Sequence, residues 1–292
     1  MARFRFGLIV WVLCLLGLPV TSATAKPCHR TAIATLKRFS PEGFRVFSVY
    51  PDKSDFKRWI ECSDVQGGLA TAVHETIHAE TSRLDGYPLL AGGLARRVAE
   101  GSPFYPPRLL RGMFPADSPF VESYLTTGAA SSADHFRYLL DEFNAYAHDL
   151  NTVVKLDRIR PTGFESGHRD GLAAMMAFVA TYAEVARQRF PATWVALKAS
   201  RTRTTVVALW RQAEETMGRS CHLARYSIEA PAYLQHVCGK TDKHGIGQLL
   251  GRPPLCPIRC TMTARGDRRT GITPINRKPD DPIASLLARV QP

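Results

Sequence analysis

The sequence predicts a mainly α-helical protein. The alternative left open is an α+β fold with a small sheet. Four segments repeat apolar residues at helical spacing, at 71–85, 131–154, 168–190 and 204–217. Only the segment 44–50, which combines aromatic and β-branched residues, predicts a strand. Hydrophobic residues make up 45% of the 292 residues, which is enough to bury a full core around these helices.

Residues 1–25 have the pattern of a signal peptide. Basic residues precede an apolar run at 7–20, which is short for a membrane span, and Ala23 and Ala25 form a cleavage pattern. We therefore expect an exported protein, periplasmic or secreted, with no stable membrane span after cleavage. The alternative is that the segment stays in place as a membrane anchor.

The rest of the chain is predicted to form a main domain at 26–245 and a C-terminal extension at 246–292. The extension is rich in proline and glycine and contains cysteines. Within the main domain, the proline-broken segment 87–127 predicts ordered loop with one helix at 90–99. The formal net charge is +12, but no basic run is interleaved with aromatic residues, so we expect no nucleic-acid partner.

The cysteines predict disulfide bonds. Cleavage after residue 25 removes one of the seven, Cys14, and an even number remains for an exported chain. We expect Cys28 to pair with Cys62, and the later cysteines to cross-link the C-terminal part. Those later cysteines are Cys221, Cys238, Cys256 and Cys260. The alternative for this region is a structural zinc site made of Cys221, His222, His236 and Cys238.

The helix predicted at 71–85 contains the pattern H-E-x-x-H, as His74, Glu75 and His78. Residues four apart lie on one face of a helix, so both imidazoles can bind the same metal ion, with Glu75 beside them. Such a short pattern also arises by chance. A third protein ligand distinguishes the two interpretations, because a catalytic zinc site normally has three.

The helix predicted at 131–154 offers two adjacent carboxylates, Asp141 and Glu142, as the third ligand. They point about 100° apart, so we expect at most one of them to face the motif helix. Asp141 shares its face with Arg137, and an exposed ion pair is the ordinary outcome for residues four apart. Glu142 lies at the edge of the apolar face, where a carboxylate needs a partner.

Together the two segments resemble the gluzincins, zinc peptidases in which H-E-x-x-H on one helix is joined by a glutamate from a later helix. The similar stretches are HETIH at 74–78 and DEFNAYAHDL at 141–150. The resemblance implies a zincin-like helix pair, one Zn²⁺ held by His74, His78 and Glu142, and Glu75 as catalytic base. One turn beyond Glu142, where many gluzincins have an aspartate, this chain has Tyr146.

With the predicted signal peptide, the resemblance implies an exported zinc metallopeptidase that hydrolyses peptide bonds. The substrate class stays open, since a protein, a short peptide or an envelope peptide crosslink would all use the same chemistry. Tyr146 is the first choice for a donor to the oxyanion, followed by His168 and Tyr138, and then by His148. Asp85, Thr81 and Ser82 are candidates to hydrogen-bond the outer nitrogens of the histidines. The alternative for Asp85 is a surface position at the helix end.

Two other functions remain open from the sequence. One is a secreted zinc-binding or inhibitory protein that holds the ion without turnover. The other is an interaction protein held by disulfides, with no metal. For the zinc-binding protein, Glu75→Gln keeps the metal and causes no loss of function, whereas a peptidase loses its activity. For the interaction protein without metal, His78→Ala affects only packing.

Overall fold

The computed structural model of the chain describes residues 27–159, 166–239 and 245–261. The described residues are mainly helical, with one small sheet, and this confirms the predicted fold class. The α-helices are α1 (His29–Phe39), α2 (Pro41–Val49), α3 (Lys53–Arg58), α4 (Val65–Leu84), α5 (Pro119–Leu125), α6 (Phe136–Lys155), α7 (His168–Arg189), α8 (Pro191–Lys198), α9 (Ser200–Ser220), α10 (Ala230–Cys238), α11 (Gly245–Leu250) and α12 (Ile258–Thr261). The strands are β1 (Gly86–Pro88) and β2 (Leu94–Arg96), and short 3₁₀ turns lie at Pro107–Met113, Ser131–Ala133, Asp157–Ile159 and Ala224–Tyr226.

Helix α6 is at the centre of the fold, because it packs against α4, α7 and α9. Its apolar face, which includes Phe143, contributes to a large core with α7 and α9, where Phe178 and Trp210 are fully buried. On another side, Ala145 joins a second core formed by α1 to α4. The motif helix α4 and the helix that carries Glu142 are therefore fixed against each other by cores on two sides.

Helix α7 confirms the prediction of a buried core helix at 168–190. Its apolar run from Leu172 to Ala183 is almost completely buried, as expected for a helix surrounded by protein. Among the residues that the structure describes, no helix combines the length and the hydropathy needed to span a membrane. The predicted signal peptide at 1–25 lies outside the described residues.

The strand predicted at 44–50 is wrong, since this segment lies in helix α2. Pro41 occupies the first turn, where its fixed φ suits a helix, and the Ser40 side chain accepts a hydrogen bond from Gly43 N. Val46 is buried, and the Phe47 ring packs on Phe56 at a centroid distance of 5.0 Å. Tertiary packing of one helical face thus outweighs the strand preference of the aromatic residues.

The helix predicted at 90–99 is also wrong, because this segment forms β2 and the loops around it. Gly92 and Gly93 have positive φ values of 94° and 83°, a conformation that glycine adopts at no steric cost. They turn the chain so that β2 pairs antiparallel with β1. The Gly-Gly pair was a hairpin signal in the sequence.

Three disulfide bonds link the described cysteines, Cys28 to Cys62, Cys221 to Cys260 and Cys238 to Cys256. The expected pairing of Cys28 with Cys62 is confirmed, as is the cross-linking of the later four. The alternative structural zinc site is wrong, since Cys221 and Cys238 are both disulfide-bonded. Three disulfides suggest an oxidising environment.

The boundary expected at 245/246 stays a prediction. Helix α11 packs against α7 and α9, and Gly245 N donates a hydrogen bond to Glu184 Oε2 at 2.7 Å. A Cβ atom on Gly245 would lie 2.4 Å from Ala183 O, so this contact requires glycine. The part of the predicted extension beyond residue 261 lies outside the described residues.

Candidate metal centre

Helix α4 begins at Val65, earlier than the start at residue 71 that the sequence predicts. Its N-cap is Asp64, whose Oδ1 accepts a hydrogen bond from Gly67 N at 2.9 Å. Gly68 lies against the preceding turn, where a Cβ atom would come within 2.4 Å of Glu61 N. The glycines that weaken this turn in the sequence therefore allow the helix to pack closely on the chain before it.

The structure brings His74, His78 and Glu142 together as a group that could hold a metal ion. The two Nε2 atoms are 3.1 Å apart, and Glu142 Oε2 lies 3.6 Å from His74 Nε2 and 3.4 Å from His78 Nε2. Donors at the usual distances from a tetrahedral zinc ion are roughly 3.3–3.6 Å apart. Both distances to Glu142 Oε2 lie in this range and the distance between the two Nε2 atoms is slightly shorter, so the three donor atoms are close to the mutual spacing of such a site.

The polar atoms of this group are poorly satisfied by one another. Glu142 Oε2 is buried and has no hydrogen-bond partner of good geometry, although both imidazoles lie within ion-pair distance. The Glu142 side chain is 17% exposed and that of His74 is 12% exposed. A buried carboxylate oxygen without a hydrogen bond is unfavourable, and a cation between the three donors would satisfy it.

In the metal-free protein, the pKa values of the group show strong attraction between its members. Burial lowers the pKa of His78, but the hydrogen bonds and charges of Asp141 and Glu142 outweigh burial and raise it to about 10. Burial raises the pKa of Glu142, but the close contacts with His74 and His78 outweigh burial and lower this pKa to about 2. The carboxylates thus favour a positive charge at this place, and a divalent cation would supply one.

Asp141 also contacts the motif helix, so the expectation that at most one of the two carboxylates does so is wrong. Its Oδ2 lies 3.0 Å from His78 Nδ1, while Glu142 Oε2 faces Nε2. The two ring nitrogens lie on different sides of the imidazole. The diverging side chains of Asp141 and Glu142 can therefore each contact one of them. The expected partner of Asp141, Arg137, pairs instead with Glu100.

This contact determines which nitrogen of His78 can bind an ion. An acceptor at Nδ1 holds the proton there and leaves the lone pair of Nε2 directed at the other donors. From the sequence, the candidates for this role were Asp85, Thr81 and Ser82. Asp85 instead ends α4 with a positive φ of 47° and is 84% exposed.

Glu75 and Tyr146, the predicted catalytic residues, lie near a common neighbour, Tyr124. The hydroxyls of Tyr124 and Tyr146 are 2.7 Å apart. Burial, followed by the charge of Glu142 and then that of Glu75 among its other causes, raises the pKa of Tyr124. Tyr124 belongs to α5, within the segment predicted as loop, and nothing in the sequence distinguished it.

The ring of Tyr146 is held between α4 and α7. It packs edge-on against the His74 ring, with centroids 4.7 Å apart. On the other side, Gly171 leaves room for it, since a Cβ atom there would lie 2.1 Å from Tyr146 Cε1. Burial raises the pKa of the Tyr146 hydroxyl, as does the neighbouring Tyr124, so at neutral pH this hydroxyl keeps its proton.

The other candidate donors have different surroundings. His168 Nδ1 lies 2.9 Å from Asp149 Oδ1, in an ion pair at the start of α7. The Tyr138 hydroxyl accepts a hydrogen bond from Arg137 at 2.8 Å. His148 is buried, and its Nε2 lies 3.0 Å from the carbonyl oxygen of Pro88, so it holds the β1 segment against α6.

Comparisons of the chain with protein-family models, with curated proteins and with solved structures found no match in any of the three. The interpretation of the centre therefore rests on its residues and their geometry.

Proposed function

We propose that this chain is an exported zinc metallopeptidase that hydrolyses peptide bonds in a protein or peptide, envelope peptides included. One observation carries the proposal, namely that His74, His78 and Glu142 present three donor atoms at the spacing of a tetrahedral ion. Two imidazoles and a glutamate are the ligand set of a class of zinc hydrolases. Glu75 lies beside His74 in the order that those enzymes use for the catalytic base.

The residues around the donor set have defined tasks in this proposal. A zinc ion held by His74, His78 and Glu142 would lower the pKa of a bound water molecule and polarise the scissile carbonyl group. Glu75 accepts the proton of the attacking water and passes it to the leaving amine. Tyr146 donates a hydrogen bond to the carbonyl oxygen as negative charge develops there. Asp141 keeps His78 in the tautomer that can bind the ion.

A zinc-binding protein without turnover uses the same three ligands but does not need Glu75. The half-buried position of Glu75 next to the ligands favours the peptidase. An interaction protein without metal needs none of these groups, and the unsatisfied Glu142 Oε2 disfavours it.

The test compares the mature chain, residues 26–292, with its Glu75→Gln variant after incubation with zinc. Hydrolysis of a quenched fluorescent peptide library and zinc per chain are both measured. We expect Glu75→Gln to keep its zinc and to lose about 10²–10⁴-fold in hydrolysis rate. The control is Glu215→Gln, since Glu215 is exposed and forms only an i,i+4 ion pair with Arg219.

Each alternative has its own result in this experiment. Zinc binding with no hydrolysis by the unmodified chain favours the binding protein. Absence of bound zinc favours the interaction protein. Hydrolysis that is unchanged in Glu75→Gln removes Glu75 from the mechanism.

A further inference from the structure

Two guanidinium groups lie together beside the metal centre, and the mechanism above does not use them. Arg97 and Arg137 both lie over the ring of Tyr138, with Cζ atoms 5.3 Å and 4.7 Å from its centroid. Their side chains are only 11% and 20% exposed. Two largely buried positive charges at one place repel each other, so the arrangement favours an anion between or beside them.

The protein leaves part of the hydrogen-bonding capacity of these arginines unused. Arg97 Nε and Arg137 Nε are both buried and have no hydrogen-bond partner. Arg97 Nη1 lies 3.7 Å from Asp85 Oδ1, and the Asp85 side chain is 84% exposed, so this ion pair is weak. The planar fork of guanidinium donors matches the two oxygens of a carboxylate.

The ring of Tyr138, over which both arginines lie, belongs to a residue one helical turn before the candidate ligand Glu142. Arg137 and Tyr138 precede Asp141 and Glu142 by four residues in α6, a spacing of about 5–6 Å between Cβ atoms. The buried side chain of Tyr87 is close enough to Asp141 and to the two arginines for their charges to shift its pKa. After burial, the charge of Asp141 raises its pKa, and the charges of Arg97 and Arg137 lower it.

A carboxylate of the chain itself, that of Glu100, already contacts Arg137. Glu100 Oε2 lies 2.5 Å from Arg137 Nη2, and its Oε1 lies 3.5 Å from His135 Nε2. The Glu100 side chain is 42% exposed. An ion pair with so much exposure contributes little to stability, so another carboxylate can displace it.

We propose that Arg97 and Arg137 bind the C-terminal carboxylate of the substrate, and that Glu100 occupies this subsite in the absence of substrate. This inference rests on the proposed peptidase function and specifies its substrate class. One residue of extended chain spans about 3.3–3.6 Å, so a carboxylate held over Tyr138, one helical turn from the candidate ligand Glu142, places the scissile bond one or two residues from the substrate's C-terminus. The enzyme is then a carboxypeptidase or removes a C-terminal dipeptide.

The test measures binding by isothermal titration calorimetry, with the zinc-incubated Glu75→Gln chain as the background so that the probe is not cleaved. The probes are N-acetyl-trialanine with a free C-terminal carboxylate, the same peptide as an amide, and an amidated acetyl tripeptide with a central glutamate. We expect the free acid to bind at least about tenfold tighter than the first amide, because a charge-assisted bidentate contact is lost in the amide. The glutamate peptide is expected to bind like the amide.

Variants assign this preference to the subsite. Arg137→Gln is expected to abolish the preference for the acid, and Arg137→Lys to restore part of it, since lysine keeps the charge without the fork. Glu100→Gln is expected to increase affinity for the acid, a result that does not depend on removing a buried side chain. Arg111→Gln is the matched control, because Arg111 is exposed and pairs with Glu122 at 3.0 Å.

Several results would overturn the subsite. These are equal binding of acid and amide, no binding of either, an acid preference that survives in Arg137→Gln, and binding of the glutamate peptide as tight as that of the acid. Failure of the proposed function looks different, since the acid is then bound selectively but the unmodified chain does not hydrolyse it. Equal hydrolysis of acid and amide supports the peptidase and overturns the subsite.

Discussion

Asp141 Oδ2 lies 3.0 Å from His78 Nδ1, on the opposite side of the ring from the nitrogen that faces Glu142. Adjacent residues of α6 thus contact both nitrogens of one imidazole. Glu142 is a candidate ligand, and Asp141 fixes the orientation of His78, which is another candidate ligand. The centre is therefore a four-residue unit of His74, His78, Asp141 and Glu142.

The first prediction concerns Asp141. Asp141→Ala is expected to weaken zinc affinity about 10–100-fold, because His78 loses the acceptor that orients its ring. Asp141→Asn keeps an acceptor oxygen without the charge, so its loss should be smaller. Competition with a chromogenic chelator measures both affinities. Asp117→Asn is the control, as Asp117 is exposed, and an affinity that is unchanged in Asp141→Ala would contradict this role.

The second prediction concerns Tyr146. If its hydroxyl stabilises the oxyanion, Tyr146→Phe should lower kcat about 10²–10³-fold with little change in KM and no loss of zinc. Tyr124→Phe removes only the neighbouring hydroxyl and should have a smaller effect. Tyr50→Phe is the matched control, since the Tyr50 hydroxyl bonds Asp55 in α3. A kcat retained in Tyr146→Phe would assign the donor to another residue.

The third prediction compares two helical glycines. A Cβ atom on Gly68 would meet the backbone of Glu61 at 2.4 Å, whereas nothing lies within 4 Å of one on Gly218. Gly68→Ala should therefore lower the free energy of unfolding by about 1–3 kcal/mol, and Gly218→Ala should raise it by up to about 1 kcal/mol. Urea denaturation measures both changes. Equal effects would show that helix propensity alone decides them.

The fourth prediction concerns the pH dependence of stability. Burial is the largest cause that lowers the pKa of His148, from 6.5 to about 4. Between these values the unfolded chain binds a proton that the folded chain does not, so this contribution to stability is complete above pH 6.5 and is lost as the pH falls towards 4. The expected slope is at most about 1.4 kcal/mol per pH unit.

The experiment compares the unmodified chain with His148→Gln by denaturation in the presence of a chelator. The other titratable groups are the same in both proteins, so their contributions to the slope cancel in the comparison. The difference in slope between pH 6.5 and 4.5 therefore reports His148. Parallel curves for the two proteins would mean that His148 has the same pKa in the folded and unfolded states, which would contradict this prediction.

The long helices and the three candidate ligands could be predicted from the sequence because they depend on local periodicity and spacing. His74 and His78 are four residues apart on one helix, and the edge position of Glu142 follows from the apolar face of its own helix. The pairing of Cys28 with Cys62 was also predicted and is confirmed.

The remaining features depend on contacts between segments that are distant in the sequence. Asp141 contacts His78 only because α4 and α6 pack side by side. The ion pair with Arg137, predicted from their spacing in one helix, was therefore wrong. Tyr124 reaches Tyr146 through α5, in a segment whose prolines predicted loop. The strand predicted at 44–50 failed for the same reason, since packing on Phe56 decides its conformation.

The most direct test of the central claim is the zinc content of the purified mature chain, residues 26–292, after incubation with zinc and dialysis. We expect about one zinc ion per chain, a marked loss in Glu142→Ala and no change in Glu215→Ala. This result would support the ligand set of His74, His78 and Glu142. A chain that retains no zinc contradicts the metal centre, and full zinc content in Glu142→Ala contradicts Glu142 as a ligand.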